Sequence, residues 1–238
     1  MRPRRPIPRL RANSTEGAPV KLHALAAASL LAVAATAQAA PIDWNTWSST
    51  TTGSISTAGG PVGVGFSGPA VDVVFGYPSY MPTSTFADGV IVDNAPVPAN
   101  NIMRLQGGTD AVNTVTFATP VVNPVMAIWS LGQAGINAQF AFIDATPVFV
   151  SGGPSNEYTG QPISVVGNTV FGAEGNGTVQ FIGTYSSISW TNPVYEFWYG
   201  FDVGVAGVAN PVPEPETYAL MVAGLGAMGF VARRRRKA

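Results

Sequence analysis

Between residues 40 and 210 the chain contains no histidine, cysteine or lysine, and its only arginine is Arg104. The single histidine, His23, and the lysines Lys21 and Lys237 lie outside that stretch. A Ser-His-Asp triad, a Cys-His dyad, a His- or Cys-ligated zinc site and a Schiff-base lysine are therefore excluded from it. Phosphate clamping would rest on Arg104 alone. Carboxylate chemistry remains. A glycosidase sets two acids a few ångströms apart in a cleft, and Glu157, Glu174 and Glu196 are the candidates. The plainer reading of each is a solvated loop acid, because exposed Asp and Glu are the rule. A calcium site needs only Asp, Asn and backbone oxygens. No D-x-[DN]-x-[DN]-G loop occurs, which leaves Asp88 and Asp110, beside glycine-containing turns, as the positions to inspect. No metal, cofactor or catalytic residue is assigned.

Aromatic side chains are the other resource. Of the five tryptophans (Trp44, Trp47, Trp129, Trp190 and Trp198), Trp129 and Trp190 sit in apolar runs and read as core. Trp198 alternates away from the strongest apolar face of its segment, so it faces either solvent or a second packed layer. The same middle stretch holds ten acids against one base, a net charge of −9 although the whole chain is only −1. Such a surface repels phosphate backbones, and nucleic acid is not an expected partner.

The elements that must position these residues are strands. Gly (27) and Pro (20) punctuate the chain, and helical periodicity is absent between Ala40 and Asn210. Short runs rich in Val, Ile, Thr and aromatics predict strands over Val71 to Phe75, Ala111 to Phe117, Val125 to Leu131, Ala138 to Ile143, Pro147 to Val150, Thr178 to Tyr185, Ser187 to Trp190 and Glu196 to Val205. In the last, Phe197, Tyr199, Phe201, Val203 and Val205 share one face, and Trp198, Gly200, Asp202 and Gly204 the other. The run 125–131 is apolar on both faces, as a central strand covered on both sides would be. Residues 45–60, full of Ser, Thr and Gly, read as an edge strand or a loose arm. The expected fold is all-β, a β-sandwich of jelly-roll type, over one domain at 40–209.

The two ends read as delivery segments. Lys21, the apolar run from Leu25 to Ala35, and Ala37-Gln38-Ala39 make the cationic, hydrophobic and A-x-A parts of a signal peptide over 1–39, with Ala37 and Ala39 at the positions signal peptidase reads. The run is shorter than the ~20 residues a span needs. Residues 1–19 add Pro and Arg that export does not need, and translation beginning at Val20 would give an ordinary signal-peptide start.

Segment 210–238 has three parts. Val212-Pro213-Glu214-Pro215-Glu216 is held extended by its two prolines and denied amide donors. Residues 217–232 carry no charge and as a helix span ~24 Å, a little short of the ~30 Å hydrocarbon core. Arg233, Arg234, Arg235, Arg236 and Lys237 then hold that end on the cytoplasmic side. In order and composition, Pro213-Glu214-Pro215, the glycine-rich apolar stretch and the basic cluster resemble the PEP-CTERM sorting domain of Gram-negative bacteria that make extracellular polysaccharide. The resemblance covers the tail only. It implies an exosortase-type membrane enzyme that recognises the tail and cleaves near Pro-Glu-Pro, with transient inner-membrane anchoring through the helix, followed by passage to the envelope or extracellular matrix.

Two functions follow for the cargo. The first is a non-catalytic structural or adhesive component of the envelope or matrix, not an enzyme. The alternative is a carbohydrate-binding module or a carboxylate-dependent glycan-active enzyme. The spatial grouping of Glu157, Glu174, Glu196 and Trp198 separates them, since converging carboxylates favour the second and scattered ones the first.

Overall fold

The computed structural model describes residues 41–208 and, beyond them, Leu225. The signal-peptide residues Ala37 and Ala39, the sorting residues Pro213, Glu214 and Pro215, the 217–232 helix and the basic cluster all lie outside the described residues. No helix among the described residues is long and apolar enough to cross a membrane.

The described chain is all-β, as its composition predicts. The strands in order are β1 (Asp43–Trp47), β2 (Thr52–Thr57), β3 (Gly60–Ser67), β4 (Ala70–Val74), β5 (Ile102–Gln106), β6 (Thr109–Val122), β7 (Val125–Leu131), β8 (Ala138–Phe142), β9 (Pro147–Gly152), β10 (Gln161–Pro162), β11 (Ser164–Val166), β12 (Thr169–Gly172), β13 (Gly175–Phe181), β14 (Thr184–Asn192) and β15 (Phe197–Val205). The one α-helical turn is α1, Thr83–Phe86.

Two separate sheets were the sequence expectation. The strands instead form one hydrogen-bonded path, β10-β13-β7-β15-β1-β2-β3-β6-β14-β8-β12-β11, curled until it nearly closes as a barrel. The junction is β1, which changes partner half-way. Asp43 and Trp44 pair with Val205 and Gly204 of β15, while Asn45 to Trp47 pair with Ile55 to Gly53 of β2. Residues 45–60 are therefore interior to the path rather than an edge or arm. Trp47 and Ile55 explain it, since both are fully buried in the core while the Ser and Thr side chains between them face out.

The two walls of the curl meet in a core of aromatic rings. Phe66, Phe140 and Trp190 come from one wall, and Phe181, Tyr199 and Phe201 from the other. Trp190 lies 5.1 Å from Phe201, edge to face, and Phe142 lies 4.9 Å from Phe181. Such pairs add about 0.5–1.5 kcal/mol each beyond area burial.

Strand β7 has the predicted bounds and is buried at every residue. Met126 and Ile128 enter the main core. Val125, Ala127 and Trp129 enter a second cluster, roofed by Tyr80, Phe86, Val92 and Ala95 from the excursion between β4 and β5. The apolar alternation of β15 also holds from Tyr199 to Val205, with Tyr199, Phe201, Val203 and Val205 in the main core. Its opposite face carries Gly200 and Gly204 because Ile102, and Ile42 with Trp44, occupy the space a Cβ would need. The predicted strand 178–185 is broken in two: Gly183, at φ 134°, turns the chain between β13 and β14.

Candidate functional site

Strand β7 is flanked by β13 on one side and β15 on the other, both antiparallel to it. Its last residues therefore stand beside the first residues of both neighbours. Leu131 pairs with Gly175 and Trp129 with Gly200. Glu174, just before β13, and Glu196, just before β15, are thus brought to the two sides of one strand end. The segment between β9 and β10 adds Glu157 and Tyr158, and the middle of β5 adds Arg104. The ring of Trp129 lies 5.6 Å from Tyr158 and 5.9 Å from Trp198, edge-on to the latter.

The backbone is unusual here. Among the described residues, six non-glycine residues have positive φ: Asn101, Asn123, Ser130, Thr159, Glu174 and Trp198. Asparagine tolerates that region. The other four all belong to this one end of the sheet. A residue held so costs of order 1–3 kcal/mol and persists only where surrounding structure enforces it, as at ligand clamps and active sites. The enforcement is visible. Ser130 N–H donates to Asn176 Oδ1 at 2.8 Å, and Asn176 Nδ2 reaches the carbonyls of Thr159 and Glu174, each at 3.3 Å.

Each acid has its own environment. Glu157 Oε2 accepts from Ser79 Oγ at 2.9 Å. Glu174 Oε1 accepts from Ser130 Oγ. Glu196 is 4 % exposed and its Oε2 has no partner. Burial raises its pKa to about 7, with Glu174 adding to the rise and the N–H groups of Gly132 and Phe197 opposing it. The buried phenol of Tyr199, also unpartnered, is pushed up by burial and then by Glu196. Tyr77 is raised by its hydrogen bond to Glu157, and Tyr158 by burial and then by Glu157 and Glu174. The carboxylates singled out in the sequence therefore converge, with Trp198, on one aromatic-lined end of the domain.

Glu196 yields a pH prediction. Its folded-state pKa lies above its ordinary value of 4.5, so the folded chain keeps a proton that the unfolded chain releases between pH 4.5 and about 7. Stability falls across that window, and the cost of ionising the buried acid is complete above it. Glu196→Gln removes the cost. It is expected to leave Tm nearly unchanged at about pH 4.5 and to raise it at about pH 8 by roughly 6–12 °C, corresponding to about 3 kcal/mol. Thermal melts at the two pH values check it, and an equal change at both contradicts the assignment.

Arg104 is not a free cation. Its Nε donates to Asp72 Oδ1 at 2.7 Å, its Nη2 pairs with Asp72 Oδ2, and its guanidinium lies 4.1 Å from the Trp198 ring centroid and 5.4 Å from that of Phe197. Trp198 is 37 % exposed, whereas Trp47, Trp129 and Trp190 are fully buried and Trp44 nearly so. Asp88 is occupied by its own turn. Its Oδ1 accepts from the N–H groups of Val90, Ile91 and Val92, which together outweigh partial burial and hold its pKa below the ordinary value. No group of three or more metal-ligating side chains gathers among the described residues.

The sequence places Asp202 on the second face of its strand without giving it a role. Asp202 is fully buried in mid-β15, Asn45 Nδ2 donates to its Oδ1 at 3.3 Å, and burial pushes its carboxyl well above the usual range. The signal was present: an acid alternating with Gly200 and Gly204 on a strand whose neighbour is apolar on both faces. Ser130, Tyr77 and Tyr158 carried no such signal.

No curated protein and no solved structure matches the chain. Residues 211–236, which contain Pro213, Glu214, Pro215 and Arg233 to Arg236, match the family model described as the PEP-CTERM protein-sorting motif. The C-terminal tail is therefore a PEP-CTERM sorting motif, the segment by which an exosortase-type membrane enzyme recognises an exported protein.

Proposed function

We propose that this is a cell-envelope or extracellular-matrix protein with a non-catalytic, structural or adhesive role. Signal peptidase would read Ala37 and Ala39, and the 217–232 segment with its basic cluster would hold the precursor in the inner membrane until an exosortase cuts near Pro213-Glu214-Pro215. The sorting-motif match at 211–236 carries this reading. It is supported by a delivered stretch without His, Lys or Cys. We take the curled path as a flattened sandwich of jelly-roll type, a fold that serves binding and structural proteins alike and so does not choose between them.

The domain's geometry suits display from a tether. Asp43 pairs with Val205, and Val208 bridges to Val121, so residues 41 and 208 both lie at the end of the sheet opposite Glu196. Strand β15 has nine residues and separates the two ends by roughly 26 Å. Residues 41 and 208, where the continuous described stretch begins and ends, thus lie away from the carboxylate and aromatic end.

Convergence of Glu174 and Glu196 favours the second reading, glycan recognition, and makes catalysis testable. Incubation of the purified chain with soluble polysaccharides is expected to produce no new reducing ends. Hydrolysis that Glu196→Gln abolishes would overturn the non-catalytic assignment.

A further inference from the structure

The aromatic and carboxylate end of the sheet is open on one side. Tyr77, Tyr158, Phe197 and Trp198 are each between 37 and 46 % exposed. A pocket of about 320 Å³ is lined by Tyr77, Pro78, Met81, Asn156 and Glu157. Isolated exposed apolar residues are normal, but exposed rings gathered around Trp129 and Arg104 beside strained backbone are a mark of recognition.

The hydrogen-bonding inventory selects the ligand. Ser79 and Ser130 already donate to Glu157 and Glu174, and Arg104 is closed by Asp72 and the rings. Tyr77 and Tyr158 face Glu157. The charged groups left to meet a ligand are carboxylates: Glu157, which takes hydrogen bonds from Ser79 and Tyr77, and Glu174, which takes one from Ser130, backed by Glu196 with its unpartnered Oε2 in a residue that is 4 % exposed. A neutral sugar hydroxyl offers these carboxylates no opposite charge. An ammonium group is donor-only. Cations also favour aromatic faces, by about 0.5–1 kcal/mol at exposed positions. Anionic ligands are excluded by the stretch's net charge, ten acids against one arginine.

We propose that this end of the domain binds a polysaccharide of amino sugars bearing free amines, with pyranose faces on Trp198 and Tyr158 and ammonium groups on Glu157 and Glu174. A saturated ring supplies the flat apolar face that the exposed rings need, which a lysine side chain lacks. The proposal rests on the extracellular reading above and deepens it. Glu196 is a positioning residue in it, buried beside Glu174 without itself reaching solvent.

The test is titration of the full chain in detergent with four probes: a glucosamine oligomer, its fully N-acetylated counterpart, a neutral glucose oligomer and a lysine-rich peptide. The glucosamine oligomer is expected to bind, and to bind about tenfold more weakly in high salt than in low. Glu157→Gln with Glu174→Gln is expected to weaken it by about tenfold or more with an unchanged circular-dichroism spectrum. Trp198→Phe, which keeps a ring beneath Arg104, is expected to weaken it less. Equal or tighter binding of the acetylated or neutral oligomer, tighter binding of the peptide, indifference to the paired Gln substitutions, or no binding at all would each overturn the proposal. Delivery through the tail is read separately from the mass of the released protein, so loss of this proposal leaves that reading standing.

Discussion

Replacing Glu214 by Ala, or deleting Arg233 to Lys237, is expected to change the chain from a released protein to one retained in the inner membrane. Proline carries no amide donor and disfavours helix in the residue before it, so between Pro213 and Pro215 the group offered for recognition is the Glu214 side chain with its charge. The substitution removes that charge and leaves the backbone shape unchanged. The deletion acts differently. Each Arg or Lys costs about 2.5–3.5 kcal/mol at the centre of a bilayer, so five of them would fix the orientation of the 16-residue apolar segment in the proposed span. If the segment spans the membrane as proposed, the deletion would remove its cytoplasmic anchor and let Pro213-Glu214-Pro215 shift in height. Fractionation of cells that carry the processing enzyme reads both variants. Unchanged release of the deletion variant would contradict the role given to the cations.

Trp190→Ala is expected to be the most damaging single change in the domain. The indole is fully buried, stacks on Phe140 at 5.5 Å and meets Phe201 edge-on at 5.1 Å, and so joins the two walls of the curl. Its Nε1 donates to Asn192 Oδ1 at 3.0 Å, and that oxygen also accepts from Asn113 Nδ2 at 2.9 Å. Truncation opens a cavity among rings that cannot collapse together and removes one donor from a buried amide network. Removal of a buried Trp costs about 3–5 kcal/mol, a large share of the 5–15 kcal/mol typical of a whole domain. In a domain of this size the Tm should fall by about 10 °C or more. Thermal unfolding followed by near-UV circular dichroism measures it. A fall of only a degree or two would mean that the walls are held by something other than these rings.

What the sequence disclosed depended on how local the cause was. Strand β7 was legible to the residue because both its faces are apolar, and β15 because Tyr199 to Val205 alternate without interruption. The sorting tail was legible because its three parts are contiguous and short in range. The change of partner in β1 was not, since it depends on where β15 and β2 lie, more than 150 residues and about ten residues away respectively. Glu174 and Glu196 were legible as candidates by type only. Their convergence comes from the antiparallel placement of β13 and β15 on either side of β7, which no spacing encodes. The positive φ of Ser130 and Trp198 was invisible for the same reason, because tertiary contacts impose it against local preference. Phe197, predicted to share the apolar face of β15, is half-exposed because the register shifts opposite Gln106 and Leu105 where Trp198 turns.

The most direct measurement of the central claim is the intact mass of the protein released by a host that carries an exosortase. A chain beginning at Ala40 and ending within or next to Pro213-Glu214-Pro215 is the expected result, with residues 217–238 and the signal peptide both removed. A released or retained protein that still carries Arg233 to Lys237 would contradict it.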